Sequence, residues 1–165
     1  MQAFLIYAAS MGIPQIRNRV FIIGHRKEYA LPRLVLDFNC PQVSFSVTKK
    51  YWHIGGESIE RFSIGPKWDE FTAGQHPVRF GLKKPYLDRP CFTILESDSN
   101  ISTAGVCHPL QKRKLNLEEV RLLCTFPKDY NFLDVNGISV MGRSVLPVMM
   151  ANVSHQIYRQ WLSKI

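Results

Sequence analysis

The stretch Gly12-Ile13-Pro14-Gln15-Ile16-Arg17-Asn18-Arg19-Val20-Phe21-Ile22-Ile23-Gly24 decides how this chain of 165 residues is read. Gly12 and Pro14 punctuate a tight turn, and the apolar run that follows reads as a buried strand over 19–24, ended by Gly24. Side chains alternate along an extended chain, so Gln15, Arg17 and Arg19 project to one side. Three donor-rich groups aimed together from the mouth of a strand suit an anionic or carbonyl-rich ligand. Residues 2–9, Gln-Ala-Phe-Leu-Ile-Tyr-Ala-Ala, read as a second short buried strand. Two strands are marginal alone, so the pair is expected to join a larger sheet, and the chain to be incomplete without a partner.

The totals narrow the class. At 45% hydrophobic and 21% charged the chain is an ordinary folding sequence rather than a disordered one. Its length allows one domain or parts of two lobes. A net charge of +8 favours a polyanionic partner, nucleic acid before membrane. No apolar run reaches the length of a membrane span, and the start lacks the basic-then-apolar form of a signal peptide. Cys40, Cys91, Cys107 and Cys124 are scattered without Cys-x-x-Cys or Cys/His spacing. They read as free thiols of a reducing compartment, and no metal site is expected.

From about residue 30 to 100 the chain is rich in Pro, Gly and Ser and carries no long helical period. Cations and aromatics interleave at Lys49-Lys50-Tyr51-Trp52-His53, Lys67-Trp68, Arg79-Phe80 and Lys83-Lys84-Pro85-Tyr86. That pattern suits phosphate contact with adjacent stacking or groove insertion. It equally suits a small β-rich core of aromatics with lysines in water. Further on, Asn116 is a good helix N-cap and Glu119 completes a capping box. Leu117, Val120, Leu123 and Cys124 then make one apolar face, and Pro127 stops the helix. A final helix opens around Val140–Pro147, where Pro147 in the first turn costs no hydrogen bond. Its inner face is predicted as Val145, Val148, Met149, Asn152, Val153, Ile157, Trp161 and Ile165.

These landmarks, in this order, resemble the C-terminal part of the DNA cytosine-5 methyltransferases. Pro14-Gln15-x-Arg17-x-Arg19 before an apolar strand resembles motif VIII of that family. Thr93-Ile94, just after Pro90, resembles the pair that ends the target-recognition region, and His108-Pro109 follows in order. Arg113 to Phe126-Pro127-Lys128-Asp129-Tyr130 resembles motif IX, with Asn116 for the commoner threonine and Cys124 for a common glutamine. Gly142-Arg143-Ser144-Val145 resembles motif X, where Arg143 stands for the family's asparagine.

The resemblance implies an α/β (mixed) fold: the end of a Rossmann-like methyltransferase sheet, a small irregular β-rich target-recognition lobe, and a C-terminal helix packing back on the catalytic lobe. The divisions it implies are 1–28, 29–135 with the motif IX helix, and 136–165. It implies that Arg19 approaches the flipped cytosine and holds its O2, while Arg17 and Gln15 steady the active-site loop or nearby phosphates. Thr93 and Ile94 would lie near the DNA, Arg113 would contact the recognition region or DNA, and Gly142, Arg143, Ser144 and Val145 would line the S-adenosylmethionine site. For Gln15 a turn-stabilising hydrogen bond is the plainer alternative, and for Arg19 a surface salt bridge.

The family's reaction needs a cysteine thiolate to attack C6 of the flipped base and an acid near N3. The Pro-Cys-Gln loop, the Glu-Asn-Val acid and the Gly-rich cofactor turn are not in these 165 residues. Pro90-Cys91 precedes Phe92, not Gln; Ala151-Asn152-Val153 lacks the acid; Gly55-Gly56 lacks a strand-turn-helix setting. The leading expectation is the DNA-recognising small subunit of a split methyltransferase, with double-stranded DNA and a larger catalytic subunit as partners. A non-catalytic DNA-binding regulator, or a C-terminal fragment of a single-chain enzyme, is the alternative. A cytoplasmic site is expected for a bacterial protein and a nuclear one for a eukaryotic protein.

Overall fold

Gly12 makes the turn that the sequence demands. Its φ of 73° lies in the left-handed region, where a Cβ would strain the backbone, and it ends a 3-10 turn over Ala8–Met11. The turn joins β1 (Gln2–Tyr7) to β2 (Asn18–Ile23), which pair antiparallel with Leu5 opposite Val20 and Ala3 opposite Ile22. The computed structural model describes residues 1–75 and 81–165, so the Arg79-Phe80 pair lies outside the described residues. Among them, β1 and β2 form a two-stranded sheet whose outer edges have no ladder partner.

Strand alternation divides this sheet by face. Phe4, Ile6, Phe21 and Ile23 turn toward the main core. Leu5, Val20 and Ile22 stay 73%, 63% and 68% exposed. The two strands are thus buried on one face only, a correction to the expected buried strands, because no other described element of this chain reaches the outer face.

Among the described residues, the middle of the chain is not built from strands. It holds 3-10 turns at Phe45–Ile54 and Glu96–Ser99 and a short helix, α1 (Ile64–Asp69). Among the described residues its backbone pairs only as isolated bridges, such as Ser58 with Arg113 and Lys83 with Val106. The mixed α/β class holds, but the expected β-rich lobe is instead irregular chain. Its prolines lack the N–H that a ladder needs. A small separate core of Ile59, Ile64, Leu82 and Cys107 lies beneath it, with Trp68 and Phe71 packed alongside.

Helix α2 (Leu117–Leu123) is capped as its sequence specifies. The Asn116 side chain accepts from the Glu119 N–H at 2.9 Å, and the Glu119 carboxylate accepts from the Asn116 N–H at 2.8 Å. Val120, Leu123 and Cys124 are buried, whereas Leu117 is exposed. The helix ends before Pro127, with Thr125 in the left-handed region at φ 57°.

The single final helix is two: α3 (Gly137–Arg143) and α4 (Pro147–Gln160). Pro147 forces an extended conformation on Leu146 and then starts α4 at its first position. Leu146, Met149, Val153 and Trp161 form the buried face, while Val145, Val148 and Ile165 are exposed. The predicted face is correct at its centre and wrong at its ends, because the break at Ser144–Leu146 rotates Val145 outward.

The connector after β2 ties these parts together. The Gln2 amide exchanges two hydrogen bonds with the Leu34 backbone, both 2.9 Å. The Gln160 amide does the same to Val35 at 2.9 and 2.8 Å, and the Trp161 indole N–H donates to the Pro32 carbonyl. The end of α4 is thereby fastened to β1 across residues 32–35.

Candidate active site

Residues 90–94 run beside the opening turn. Gln15 and Cys91 form a parallel bridge, with the Cys91 N–H donating to the Pro14 carbonyl and the Ile16 N–H to the Cys91 carbonyl. The Thr93 hydroxyl donates to the Ile16 carbonyl. The motif VIII turn and the Thr93-Ile94 pair, 77 residues apart in sequence, therefore meet along one line.

The polar trio does lie on one side, and the carbonyls it meets belong to its own chain. The fully buried Gln15 accepts the Ile94 N–H on Oε1 and donates from Nε2 to the Leu123 carbonyl and the Cys124 sulfur. It splices the turn to the end of α2. The bland expectation, a turn-stabilising bond, is closer than a loop or phosphate contact, although its partners are distant in sequence. Arg17 is 1% exposed. Its guanidinium donates to the carbonyls of Ile94 (2.8 Å), Gly142 (2.8 Å) and Ser144 (2.9 Å), and Nε has no partner. Arg17 thus fixes the α3–α4 junction to β2 and to the backbone at Ile94, and it is not open to phosphate.

Arg19 differs. It is half-buried, bonded from Nη1 to its neighbour Asn18's carbonyl and from Nη2 to the Ser144 carbonyl at a long 3.4 Å. Its remaining donors have no partner among the described residues, and it forms no salt bridge among them. The Ser144 carbonyl is shared by both arginines, so the buried one sets the position of the open one.

The four motif X residues divide in the same way. Gly142 is buried and must lack a side chain, since a Cβ there would stand 2.4 Å from the Leu95–Glu96 backbone. The Ser144 hydroxyl donates to the Met141 carbonyl. Arg143 and Val145 face solvent, with Arg143 3.5 Å from the Glu96 carboxylate. For a cofactor bearing a carboxylate and an apolar body, Arg143 and Val145 are placed to touch it, while Gly142 and Ser144 shape the loop. The fit is that of one wall of a site.

Two expected DNA contacts are corrected. Ile94 is fully buried in the main core. Arg113 is buried and forks onto Glu119 with two 2.8 Å bonds, while Nε donates to Gln111 and Nη1 also to the Lys114 carbonyl. It lies against Gly56 and is too deeply buried to offer a surface to DNA. Lys84, read as a phosphate contact, is buried as well: its ammonium donates to the Trp68 and Phe71 carbonyls and lies 3.4 Å from the Trp68 ring centre. Burial lowers its pKa. Lys49 and Lys50 are exposed beside Trp52 and Tyr51.

The burial of two further ionisable groups escaped the sequence reading. His108 accepts two backbone N–H bonds on Nδ1, so its proton sits on Nε2, facing Glu119 at 3.8 Å. Burial, then the positive Arg113, pushes its pKa down to about 3. Asp98 accepts the N–H groups of Leu95 and Val106, and burial raises its pKa. The neighbours in sequence give no common signal: His108 stands between Cys107 and Pro109, and Asp98 between two serines. Burial, then the Cys124 thiol, pushes Cys91 well above the usual thiol range, so Cys91 holds no thiolate for attack. Among the described residues no three His, Cys, Asp or Glu side chains gather as a metal site, and no helix is long and apolar enough to cross a membrane.

The profile of the C-5 cytosine-specific DNA methylase family matches residues 1–84, half of the chain, and the chain belongs to that family. The match spans β1, the arginine turn and β2. The Type II methyltransferase M.BspRI of Lysinibacillus sphaericus is 27% identical over 164 aligned positions, covering 85% of this chain and 36% of that protein. The chain thus spans about a third of the length of this relative.

Proposed function

We propose that the chain is the DNA-recognising small subunit of a split DNA cytosine-5 methyltransferase, which completes the active and cofactor sites of a larger partner. The observation that carries this reading is the pairing of a locked arginine with an open one at the meeting of motifs VIII and X. Arg19, half-buried and with unspent N–H donors, presents them to the O2 of an extruded cytosine. Arg17 holds the loop that positions it. Bound S-adenosylmethionine supplies the methyl group, and Arg143 and Val145 contribute to its wall, with Gly142 and Ser144 setting the loop. The partner supplies the cysteine that adds to C6 and the acid near N3. The exposed Lys49 and Lys50 beside Trp52 and Tyr51 suit phosphate contact in double-stranded DNA. The buried Arg113 and Lys84 organise the lobe instead.

Methyl transfer from labelled S-adenosylmethionine to duplex DNA, measured for the chain alone and co-expressed with the neighbouring open reading frame, tests the reading. Activity in the co-expressed sample only, abolished by Arg19→Ala with the complex intact, is the expected result. Full activity of Arg19→Ala refutes its role. DNA binding without activity or a stable partner supports a regulator, which the Arg143–Glu96 pairing would suit by occupying the cofactor wall.

A further inference from the structure

Among the described residues, the half-buried lysine and arginine side chains are Arg19, Lys67, Lys83 and Lys112. Lys67 pairs with Glu70 and Lys112 with Asp69. Arg19 keeps unspent donors, and the Lys83 ammonium has no hydrogen bond or ion pair among the described residues. The backbone explains where Lys83 points. Leu82 is buried in the small core and Lys84 on the Trp68 and Phe71 carbonyls, so alternation turns Lys83 the other way. Its position is pinned: the Lys83 N–H donates to the Gly105 carbonyl at 2.8 Å, and its carbonyl accepts the Cys107 N–H at 3.0 Å. Burial dominates at Cys91 and Asp98, yet both also feel the Lys83 charge, so the ammonium stands near the segment that holds Thr93 against the arginine turn. Asp98 is not its counter-charge, because the carboxylate is spent on the Leu95 and Val106 N–H groups and faces Lys114 at 3.8 Å. We infer that Lys83 reads a guanine of the DNA target in the major groove, donating to N7 and O6.

The chemistry selects that base. An ammonium offers three donors and no acceptor. Guanine presents two acceptors on its major-groove edge, whereas adenine sets an amino donor beside N7, cytosine offers a donor, and thymine puts a methyl beside O4. Rigidity selects a base over a phosphate. Lys49 and Lys50 are exposed and can follow a phosphate over a range of positions. Lys83 is set back on pinned backbone, which fixes the acceptors it can reach.

The inference rests on the reading of the chain as the DNA-recognising part of a methyltransferase, but it fails separately from it. A library of randomised duplexes is offered to the full chain, alone and co-expressed with the neighbouring open reading frame. Retained duplexes and methylated sites are both sequenced. Lys83→Gln is expected to relax the preference for one guanine about ten- to a hundredfold and to leave the other positions unchanged. Lys83→Arg, which keeps the charge and the donors, should retain the preference. Placing 7-deazaguanine, which lacks the N7 acceptor, at that position should weaken the wild type and not Lys83→Gln. Wild-type binding indifferent to this base overturns the inference however the variants fold. Methyl transfer with an unchanged preference in Lys83→Gln also overturns it and leaves the methyltransferase standing. An equal loss on every sequence, with a shallower salt dependence, marks a phosphate contact and overturns it too. A guanine preference in the retained duplexes that Lys83→Gln abolishes, without methyl transfer by the wild type, supports the inference and removes the enzymatic reading. A wild type that selects no guanine by either readout overturns the inference.

Discussion

Replacing Arg17 should separate the structural arginine from the functional one. Arg17→Ala removes three bonds of 2.8, 2.8 and 2.9 Å from a charged guanidinium and leaves the Ile94, Gly142 and Ser144 carbonyls short of a donor. Bonds to a charged group are each worth about 1.5–3 kcal/mol. They are not additive, and deleting a buried cation with an unpartnered Nε recovers some desolvation. The expected loss is about 3–5 kcal/mol, a large part of a domain stability of about 5–15 kcal/mol. Arg17→Lys, with one ammonium in place of the fork, should lose roughly half as much. Arg19→Ala forfeits only a local bond and a 3.4 Å one, and should cost less than about 1 kcal/mol. Urea unfolding followed by tryptophan fluorescence gives the three values, and hydrogen exchange at residues 142–146 reports the freed junction. An Arg17→Ala loss under about 1 kcal/mol, or an Arg19→Ala loss equal to it, refutes the division of roles.

His108 makes stability pH-dependent. The fold keeps it neutral down to about 3 whereas the unfolded chain takes up a proton near 6.5, so stability is full above pH 6.5 and drains between 6.5 and 3. The slope is at most about 1.4 kcal/mol per pH unit. Asp98, its pKa raised by burial, acts oppositely and gains as the pH falls into the carboxylate range, so the comparison with His108→Gln isolates the imidazole. Parallel pH curves for the two proteins would contradict this. Arg113→Met and Glu119→Gln should each cost about 3–5 kcal/mol by stranding a buried charge, and the double variant less than their sum. Additive losses in urea unfolding would show that the pair does not act as a unit. With Ellman's reagent, Cys40 should react at once. Cys91, Cys107 (pushed up to about 11) and Cys124 (to about 12) should react only after denaturation, and a second fast thiol in the native chain would be the contrary result.

Local signals were legible where the cause is local. The Gly12 turn, the Asn116–Glu119 capping box and Pro147 as the first residue of α4 each follow from chemistry within a few residues. The side on which Gln15, Arg17 and Arg19 project was also readable, because alternation is geometric. What they project toward was not. The carbonyls of Ile94, Gly142 and Ser144 arrive from 77 to 127 residues away, and no periodicity encodes that meeting. Arg113 and Lys84 looked like solvent-facing cations for the same reason. Each is kept inside by acceptors that tertiary structure supplies: Glu119 for one, the Trp68 and Phe71 carbonyls for the other.

Polarity is inverted locally at two kinds of place in an otherwise apolar core and polar surface, and the two halves of the inversion have different origins. Inside, Arg17, Arg113 and Lys84 take the place of apolar packing at points where irregular segments converge. Such segments bring backbone carbonyls that no ladder satisfies, and a long donor-rich side chain is what can satisfy several of them at once. Outside, Leu5, Val20 and Ile22 serve no acceptor and cover no core. The first half stabilises this chain by itself. The second lowers the free energy only when something else arrives, so the chain carries at its surface a driving force for association, on the sheet that ends in the arginine turn.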